Sequence, residues 1–548
     1  MQSQSTDIRD PFPPAGLARH ATWALLVAAL VALVAGCWLV DFERILRRTP
    51  DDTYYFFQIA ENVAKGRGPT FDGIHLTSGF QPLWLLSLVP VFWVCPDSLE
   101  TAVRMGLTMQ AGALFLAGLL IVSVLSRTFS WNVVLGVVIV YTFSVFVVAV
   151  NGMETAIELL ALAALFAFGF HAKVFLGDSS AVGKKWLFGM LLGVVMLARL
   201  DTVFLGAAIM AFLTWPAMTI PGRRLRNLAG PFAVFAGASL VVLPYLLYNH
   251  LTFGKMGPIS GTLKSSFPHP SPLLAWQALR SWVGLPKMAI LFAILVFAVF
   301  YLVWYLAVAR KDTEHRDARF YFHTSMAVMA CSILLHALHT ILFMKWAIWT
   351  WHFFPYFLFA SLAIAAPLER WIATRLGRAT YGWAAAFLVL AGVLGNFYRL
   401  TATGSEITWP IVSYRAALWA REHTSPSDVF ALKDTGNFGF FSQRRVINLD
   451  GVVNTLEFQD VLNARRLRAY FQENHVKYLV LHSTVESNPG VFDQTYETDS
   501  ATYRSNLYGT MSDPIALRRS GEVYRATYTF PVKDDFVIWD ISSGMDTP

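Results

Sequence analysis

Long apolar segments fill most of the chain up to Tyr398, and they restrict its fold more than any other feature. They lie at approximately 21–40, 80–94, 105–125, 132–150, 155–172, 186–200, 202–218, 229–248, 287–308, 321–343, 352–368 and 380–398. Only 14% of the residues are charged, whereas soluble domains have about a quarter. Because a helix needs about 20 apolar residues to cross a bilayer, the sequence predicts a polytopic α-helical membrane protein.

Basic residues in the short loops between these segments predict the orientation of the bundle, since loops rich in Lys and Arg lie in the cytoplasm. Segment 80–94 is short and contains Pro82 and Pro90, so we interpret it as an interfacial or re-entrant part of the first outer loop, 41–100. The prediction is then about 11 transmembrane helices, beginning with a retained first span. The basic residues used are Arg9, Arg19, Arg127, Lys173, Lys184, Lys185, Arg223, Arg224, Arg226, Arg310, Lys311, Arg316, Arg319, Arg370, Arg375 and Arg378.

The character of the sequence changes after Tyr398. Charged residues, turns and short alternating strands predict a soluble α/β domain at 399–548, following a transmembrane domain at 1–398. The topology places this second domain outside the cytoplasm. The predicted strands are Val429–Leu432, Arg445–Leu449 and Tyr478–Leu481, and the predicted helices are Ile411–Glu422 and Glu457–Glu473.

Two adjacent carboxylates, Asp51 and Asp52, follow closely after the first span. An ionisable pair so near the hydrocarbon is costly unless it faces water, a partner or a substrate. One Asp is explained as the N-cap of a helix from Tyr54 to Ala64, but this role leaves the second Asp unexplained. That helix is amphipathic and is expected to lie in the membrane interface. The topology brings further acids and bases to the same outer face: Glu154, Arg199, Asp201, Lys255 and Lys264.

Several strings of residues, taken in order, resemble type C (GT-C fold) membrane glycosyltransferases, in particular bacterial arabinofuranosyltransferase-like and protein-mannosyltransferase-like enzymes. The resemblance covers most of the chain. It implies a polyprenyl-phosphate sugar as donor and an acceptor outside the cytoplasm, which is a glycan, a lipid or a protein. It also implies the bacterial inner membrane, with the site facing the periplasm. The strings are Asp51-Asp52, Ile59-Ala60, Gly66 to Gly73, Thr77 to Trp84, Asn151 to Thr155, Leu197 to Asp201, Phe253 to Lys264 and Asp434 to Gly451.

The resemblance implies that Asp51 or Asp52 is the general base, and a carboxylate can accept the proton that an attacking hydroxyl must lose. We favour Asp51, because it is nearer the first span. Glu154 either stabilises a helix N-terminus or assists catalysis by orienting the base, binding a cation or holding a sugar hydroxyl. Whether a divalent cation takes part stays open; if it does, Asp51, Asp52 and Glu154 are its expected ligands.

Four further residues are candidates for contact with the phosphate or sugar of the donor. Arg199 can grip phosphate through its planar guanidinium, or it can simply pair with Asp201. Lys264 is the second phosphate candidate, and Lys255 is either a third or a contact to lipid head groups. His336 and His339 have a spacing that metal sites use, but no third ligand lies nearby, so we favour polar packing. Asp434 and Asp450 are interpreted as turn residues.

Two other classes of function compete with a glycosyltransferase. A transporter or flippase of lipid-linked sugars should show internal repeats and helices broken near the bilayer centre, and we detect no repeat. A non-catalytic scaffold for envelope assembly predicts that changes at Asp51 and Asp52 are tolerated. Nucleotide-binding and hydrolase motifs are absent from the sequence. The charge of +7 lies in the inner loops and does not indicate nucleic acid.

Overall fold

A computed structural model describes residues 15–175, 181–219, 228–309, 318–346, 348–401, 407–482, 491–492, 515–516, 519–529 and 533–542. Within these ranges the chain forms a bundle of apolar helices followed by a mixed α/β domain, so the predicted fold class is confirmed. The apolar helices of the bundle are Ala15–Leu39, Leu99–Leu125, Trp131–Tyr141, Thr155–Ala172, Val182–Ala198, Val203–Thr219, Ala229–Phe253, Leu285–Trp304, Ala318–Phe343, Phe354–Ala363 and Arg375–Thr401. Further helices before the C-terminal domain are Phe42–Leu46, Asp52–Ala64, Pro82–Val94, Ile259–Lys264, Pro272–Ala278 and Ala365–Ala373.

Eight helical segments in the described part of the chain are long and apolar enough to cross a membrane. Trp131–Phe146 and Leu200–Trp215 are shorter apolar helices, as is Pro82–Val94. The last has 13 residues and is about 20 Å long, against a hydrocarbon core of about 30 Å. It is therefore too short to cross unaided, as expected of a segment within the first loop. The count of eleven crossings stays a prediction.

Glycines bring two helices of the bundle into backbone contact. A Cβ atom on Gly189 would lie 2.2 Å from the carbonyl oxygen of Val234, and one on Gly237 would lie 2.2 Å from that of Trp186. Helices Val182–Ala198 and Ala229–Phe253 therefore pack closely because small residues line their interface, which is the usual way for helices to associate in lipid. The first helix of this pair ends directly before Arg199.

The C-terminal domain is built on a five-stranded mixed sheet. Strands β1 (Val429–Leu432), β2 (Arg445–Asn448) and β3 (Val476–Leu481) are parallel, whereas β7 (Asp534–Asp540) pairs antiparallel with β3 and with β6 (Glu522–Tyr528). The order across the sheet is β2-β1-β3-β7-β6. The three predicted strands are present. Strands β4 (Val491–Phe492) and β5 (Ile515–Ala516) form a separate pair. The helices are Trp409–His423, Gly436–Ser442, Glu457–Asn463 and Leu467–Glu473, so the long helix predicted at 457–473 is interrupted, with Arg465 in the left-handed region at φ 55°.

The C-terminal domain docks on the first loop, 41–100. The guanidinium of Arg415 donates to both carboxylate oxygens of Glu43, at 2.7 and 2.9 Å. Tyr414 donates its hydroxyl to Glu100 at 2.6 Å. The loop and the domain therefore lie on the same face of the bundle.

The apolar stripe of the helix Asp52–Ala64 is buried by protein, which the expectation of a helix lying in the membrane interface did not anticipate. Tyr54, Phe57 and Ile59 are fully buried, on more than one side of the helix. The ring of Phe57 packs between Phe92 of the helix Pro82–Val94 and Phe440 of the C-terminal domain, with centroids 6.3 and 5.9 Å away. Protein covers the apolar stripe that the sequence assigned to lipid.

Candidate functional site

Asp51 connects the first loop to the C-terminal domain. One of its carboxylate oxygens accepts a hydrogen bond from the backbone amide of Gly436 at 2.8 Å, and the other accepts from that of Asn437 at 2.7 Å. Burial and the negative charge of Asp434 raise the pKa of Asp51 well above its ordinary value, whereas these two amides act in the opposite direction. Both oxygens of Asp51 are thus already engaged by protein.

Asp52 has a different environment from its neighbour. It occupies the first turn of the helix Asp52–Ala64, and in the described part of the chain no donor hydrogen-bonds to its carboxylate. Burial raises the pKa of Asp52, and the positive charge of Lys264 lowers it. Lys264 has no ion-pair partner among the described residues. Within the described ranges, a half-buried carboxylate to which no donor bonds is thus under the influence of the positive charge of Lys264.

The segment from Thr77 to Trp84 joins four distant parts of the chain around these carboxylates. Sequence reasoning used this string only for its resemblance to a family, whereas the structure gives each polar side chain in it a partner. Ser78 contacts the first residue of the helix Ile259–Lys264, and Gln81 contacts Leu200, which follows Arg199. Thr77 donates to the carbonyl of Asn454 (3.3 Å), and Trp84 donates to the carbonyl of Gly152 (2.9 Å). Ser78 accepts from the amide of Ile259 (3.1 Å), and Gln81 accepts from the amide of Leu200 (3.4 Å).

The loop before Glu154 has an unusual backbone that neighbouring side chains hold in place. Gly152 has φ +86°, and a Cβ atom there would lie 2.2 Å from the methyl group of Thr53. The hydroxyl of Thr53 donates to the carbonyl of Asn151 at 2.9 Å, and Gln110 accepts from the amide of Gly152 at 2.8 Å. Because Thr53 follows Asp52 directly, this loop ties Glu154 to the carboxylate pair.

Glu154 belongs to a buried cluster of charges centred on Arg199, which is 3% exposed. Arg199 donates to Asp201 at 2.8 Å and to the carbonyl of Trp351 at 3.1 Å. Glu154 and Glu158 lie 3.6 and 3.8 Å from the same guanidinium, beyond hydrogen-bonding range, and each has a buried oxygen without a hydrogen-bond partner among the described residues. This geometry favours the pairing of Arg199 with Asp201 over a contact to phosphate. Glu158 enters the site although sequence reasoning gave it no role.

The remaining candidates divide between this cluster and the surface. His336 lies 3.6 Å from Asp201 and shares a hydrogen bond of 2.8 Å with the hydroxyl of Tyr356, which is polar packing. Lys255 is exposed, and no contact links it to the carboxylates among the described residues. Within the described ranges, no group of three or more His, Cys, Asp or Glu is arranged to hold a metal ion.

Asp434 and Asp450 lie beside Asp51 and Asp52, so their interpretation as mere turn residues was incomplete. The amide of Asp434 donates to the carboxylate of Asp450 at 2.7 Å. Burial and the charge of Asp434 raise the pKa of Asp450. The spaced strings Asp434-Thr435-Gly436 and Asp450-Gly451 were the available signal. They follow β1 and β2, and the carboxyl ends of neighbouring parallel strands meet at one edge of a sheet.

A helical membrane bundle that carries an α/β domain over an acidic first loop has the architecture of the GT-C fold. One solved structure to which the chain is similar is that of ArnT from Cupriavidus metallidurans bound to undecaprenyl phosphate. The match has 10% identity and a TM-score of 0.50, and it covers 98% of this chain and 100% of that chain. At this identity the likeness establishes the fold alone. The apo crystal structure of ArnT has 12% identity, covers 97% of this chain and 100% of that chain, and has a TM-score of 0.42.

Two comparisons concern sequence rather than structure. A family described as a domain of unknown function, DUF8728, matches residues 404–530, which lie in the C-terminal domain. No curated protein matches the chain.

Proposed function

We propose that this protein is a glycosyltransferase that moves a sugar from a polyprenyl phosphate to an acceptor outside the cytoplasm, with Asp52 as the general base. The observation that carries the proposal is that no donor among the described residues hydrogen-bonds to the carboxylate of Asp52, on which the positive charge of Lys264 acts. The ArnT structure that shares the fold contains undecaprenyl phosphate. We assign the role of base to Asp52 and not to Asp51, which the sequence favours, because Asp51 already accepts two backbone hydrogen bonds.

The residues fit the steps of such a transfer. An acceptor hydroxyl attacks the anomeric carbon of the donor and gives its proton to the carboxylate of Asp52. The new bond forms between the acceptor oxygen and the anomeric carbon. The bond from that carbon to the phosphate oxygen breaks, and polyprenyl phosphate leaves with the electron pair. Lys264 would pair with the phosphate, which needs no protonation to leave, and the unpartnered oxygen of Glu154 would accept from a sugar hydroxyl.

The substitution Asp52→Asn tests the proposal, because Asn keeps the shape of the side chain and loses the proton acceptor. The purified protein in nanodiscs would be given a panel of polyprenyl-phosphate hexoses and pentoses together with an envelope lipid extract as acceptor. Release of polyprenyl phosphate would be measured. Turnover should fall by about 10²- to 10⁴-fold, the usual contribution of a general base. Binding of undecaprenyl phosphate, followed by native mass spectrometry, should stay within about twofold.

Asp97→Asn is a matched control, since Asp97 is an exposed carboxylate in the same loop. It should leave turnover unchanged. Near-normal transfer by the Asp52→Asn variant would reject Asp52 as the base. If in addition the wild-type protein neither binds undecaprenyl phosphate nor releases it from any donor, the result would favour the hypothesis of a non-catalytic scaffold.

A further inference from the structure

We infer that the C-terminal domain, whose family has no known function, is a working part of the catalytic site, and that it positions Asp52 by holding Asp51. This inference rests on the proposed role of Asp52 as the base. In it Asp51 is a positioning residue, which acts on the reaction only through its neighbour.

The first step of the argument is the tightness of the contact. Both oxygens of the Asp51 carboxylate accept amide hydrogen bonds from consecutive residues of the C-terminal domain. A Cβ atom on Gly436 would lie 2.1 Å from the carbonyl oxygen of Asp51, so only glycine allows this approach. The hydrogen bonds and the close backbone contact together fix the position of Asp51 in two ways.

The second step links Asp51 to the orientation of Asp52. The carbonyl of Asp51 accepts a hydrogen bond of 2.9 Å from the amide of Tyr54, which opens the helix Asp52–Ala64. Tyr54 is fully buried, and its hydroxyl shares a hydrogen bond of 2.7 Å with Thr49. Asp52 therefore lies between an anchored residue and a buried one. The contact at Gly436 is thus one of the contacts that hold the backbone next to Asp52.

The third step concerns the rigidity of the segment that holds Asp51. It follows β1, at the edge of the sheet where the three parallel strands end. Asn448, at the end of β2, donates to the hydroxyl of Thr435 at 2.9 Å and is 2% exposed. His482, which follows β3, shares a hydrogen bond of 2.9 Å with the carbonyl of Lys433. All three strand ends thus brace the segment that contacts Asp51.

An alternative explanation is that these contacts only attach the C-terminal domain to the bundle. The domain has other attachments, such as the ion pair between Arg415 and Glu43. If attachment were the whole role, then weakening either contact should have a similar effect. If Asp51 positions Asp52, only the change at Asp51 should slow the chemical step.

The test compares Asp51→Asn and Gly436→Ala with Glu43→Gln in the full-length protein in nanodiscs. Turnover would be measured per molecule able to bind undecaprenyl phosphate, so that misfolded protein does not count. We expect kcat to fall about 10- to 100-fold in the first two variants, because a misplacement of about 1 Å can cost a hundredfold. The KM for the donor should stay within about twofold. The Glu43→Gln variant should keep kcat within about twofold.

The inference is overturned if kcat per binding-competent molecule is normal in Asp51→Asn and Gly436→Ala, or if Glu43→Gln lowers it equally. Failure of the proposed function gives a different pattern, since Asp52→Asn would then stay active whatever the other variants do. An inactive Asp52→Asn together with fully active Asp51→Asn and Gly436→Ala would reject the positioning role alone. Should Asp51→Asn fail to fold, Gly436→Ala carries the test by itself.

Discussion

In the proposed mechanism Lys264 has two roles: it lowers the pKa of Asp52, and it pairs with the phosphate of the donor. Its positive charge lowers the pKa of Asp52, against the effect of burial, which raises it. A base must be deprotonated to act, so loss of this charge moves the pH range of activity upward. This effect separates Lys264 from an ordinary surface lysine.

For the variant Lys264→Met we therefore expect the acid limb of the turnover–pH profile to lie at higher pH than in the wild type. Donor affinity should also fall roughly 10- to 100-fold, since a charge-assisted contact contributes about 1.5–3 kcal/mol. Both quantities can be measured in one series of steady-state assays between pH 5 and 9. An unmoved acid limb would disconnect Lys264 from Asp52.

Lys255→Met provides the comparison, because Lys255 is an exposed lysine in the same stretch between two spans. Its pH profile and donor affinity should match those of the wild type. A loss of donor affinity at Lys255 alone would instead assign the phosphate contact to that residue.

At the level of residues, the sequence predicts that Asp51 and Asp52 lie near other acids and bases, and it favours Asp51 as the base, whereas our proposal assigns this role to Asp52. Their order along the chain says nothing about which carboxylate other groups engage. The amides that engage Asp51 lie 385 and 386 residues away. Arg199 and Asp201 were left between two roles, and only the contacts of the guanidinium favour one.

Among the structural elements, the loop from Asn151 to Glu154 shows how strictly the site is packed. Gly152 has a positive φ that residues with a side chain rarely adopt, and the buried Thr53 beside it leaves no room for a Cβ atom. The loop carries Glu154 into the cluster around Arg199.

The variant Gly152→Ala should destabilise the protein by about 1–3 kcal/mol, the usual cost of strain and overpacking. A lower Tm in a thermal-shift assay would show this, and turnover should fall because Glu154 moves. Gly183→Ala is the matched control, since nothing lies within 4 Å of a Cβ atom there and alanine favours a helix. An unchanged Tm in Gly152→Ala would contradict the packing argument.

The elements themselves were largely predictable because their periodicity is local. The helix predicted at Tyr54–Ala64 is Asp52–Ala64, and β1 has the predicted bounds. The residues that pack against a helix, in contrast, can come from distant parts of the sequence. Sequence assigned the apolar stripe with Tyr54 and Phe57 to lipid, because a helix buried by a distant domain shows the same pattern as one lying in an interface.

At the scale of the whole molecule, the docking contacts put the first loop and the C-terminal domain on one face of the bundle. Which side of the membrane that face occupies depends on the basic loops, and these predict the outside. We expect an alkaline phosphatase reporter fused after Pro548 to be active and a green fluorescent protein reporter there to be dark. Fusions within the loop at 126–131 should give the opposite result. A bright fluorescent C-terminal fusion would reject the topology.

The distance along the chain between Asp51 and its partners also sets a delay in time. The two ends of this contact are separated by 385 residues. At a synthesis rate of roughly 5–20 residues per second, about 20 to 80 s pass between the appearance of Asp51 and that of Gly436. During that interval the first spans are in the membrane, among its lipids, while the groups that would hold Asp51 do not yet exist. A nascent chain therefore cannot assemble this site early, and a chain truncated before its last domain cannot assemble it at all.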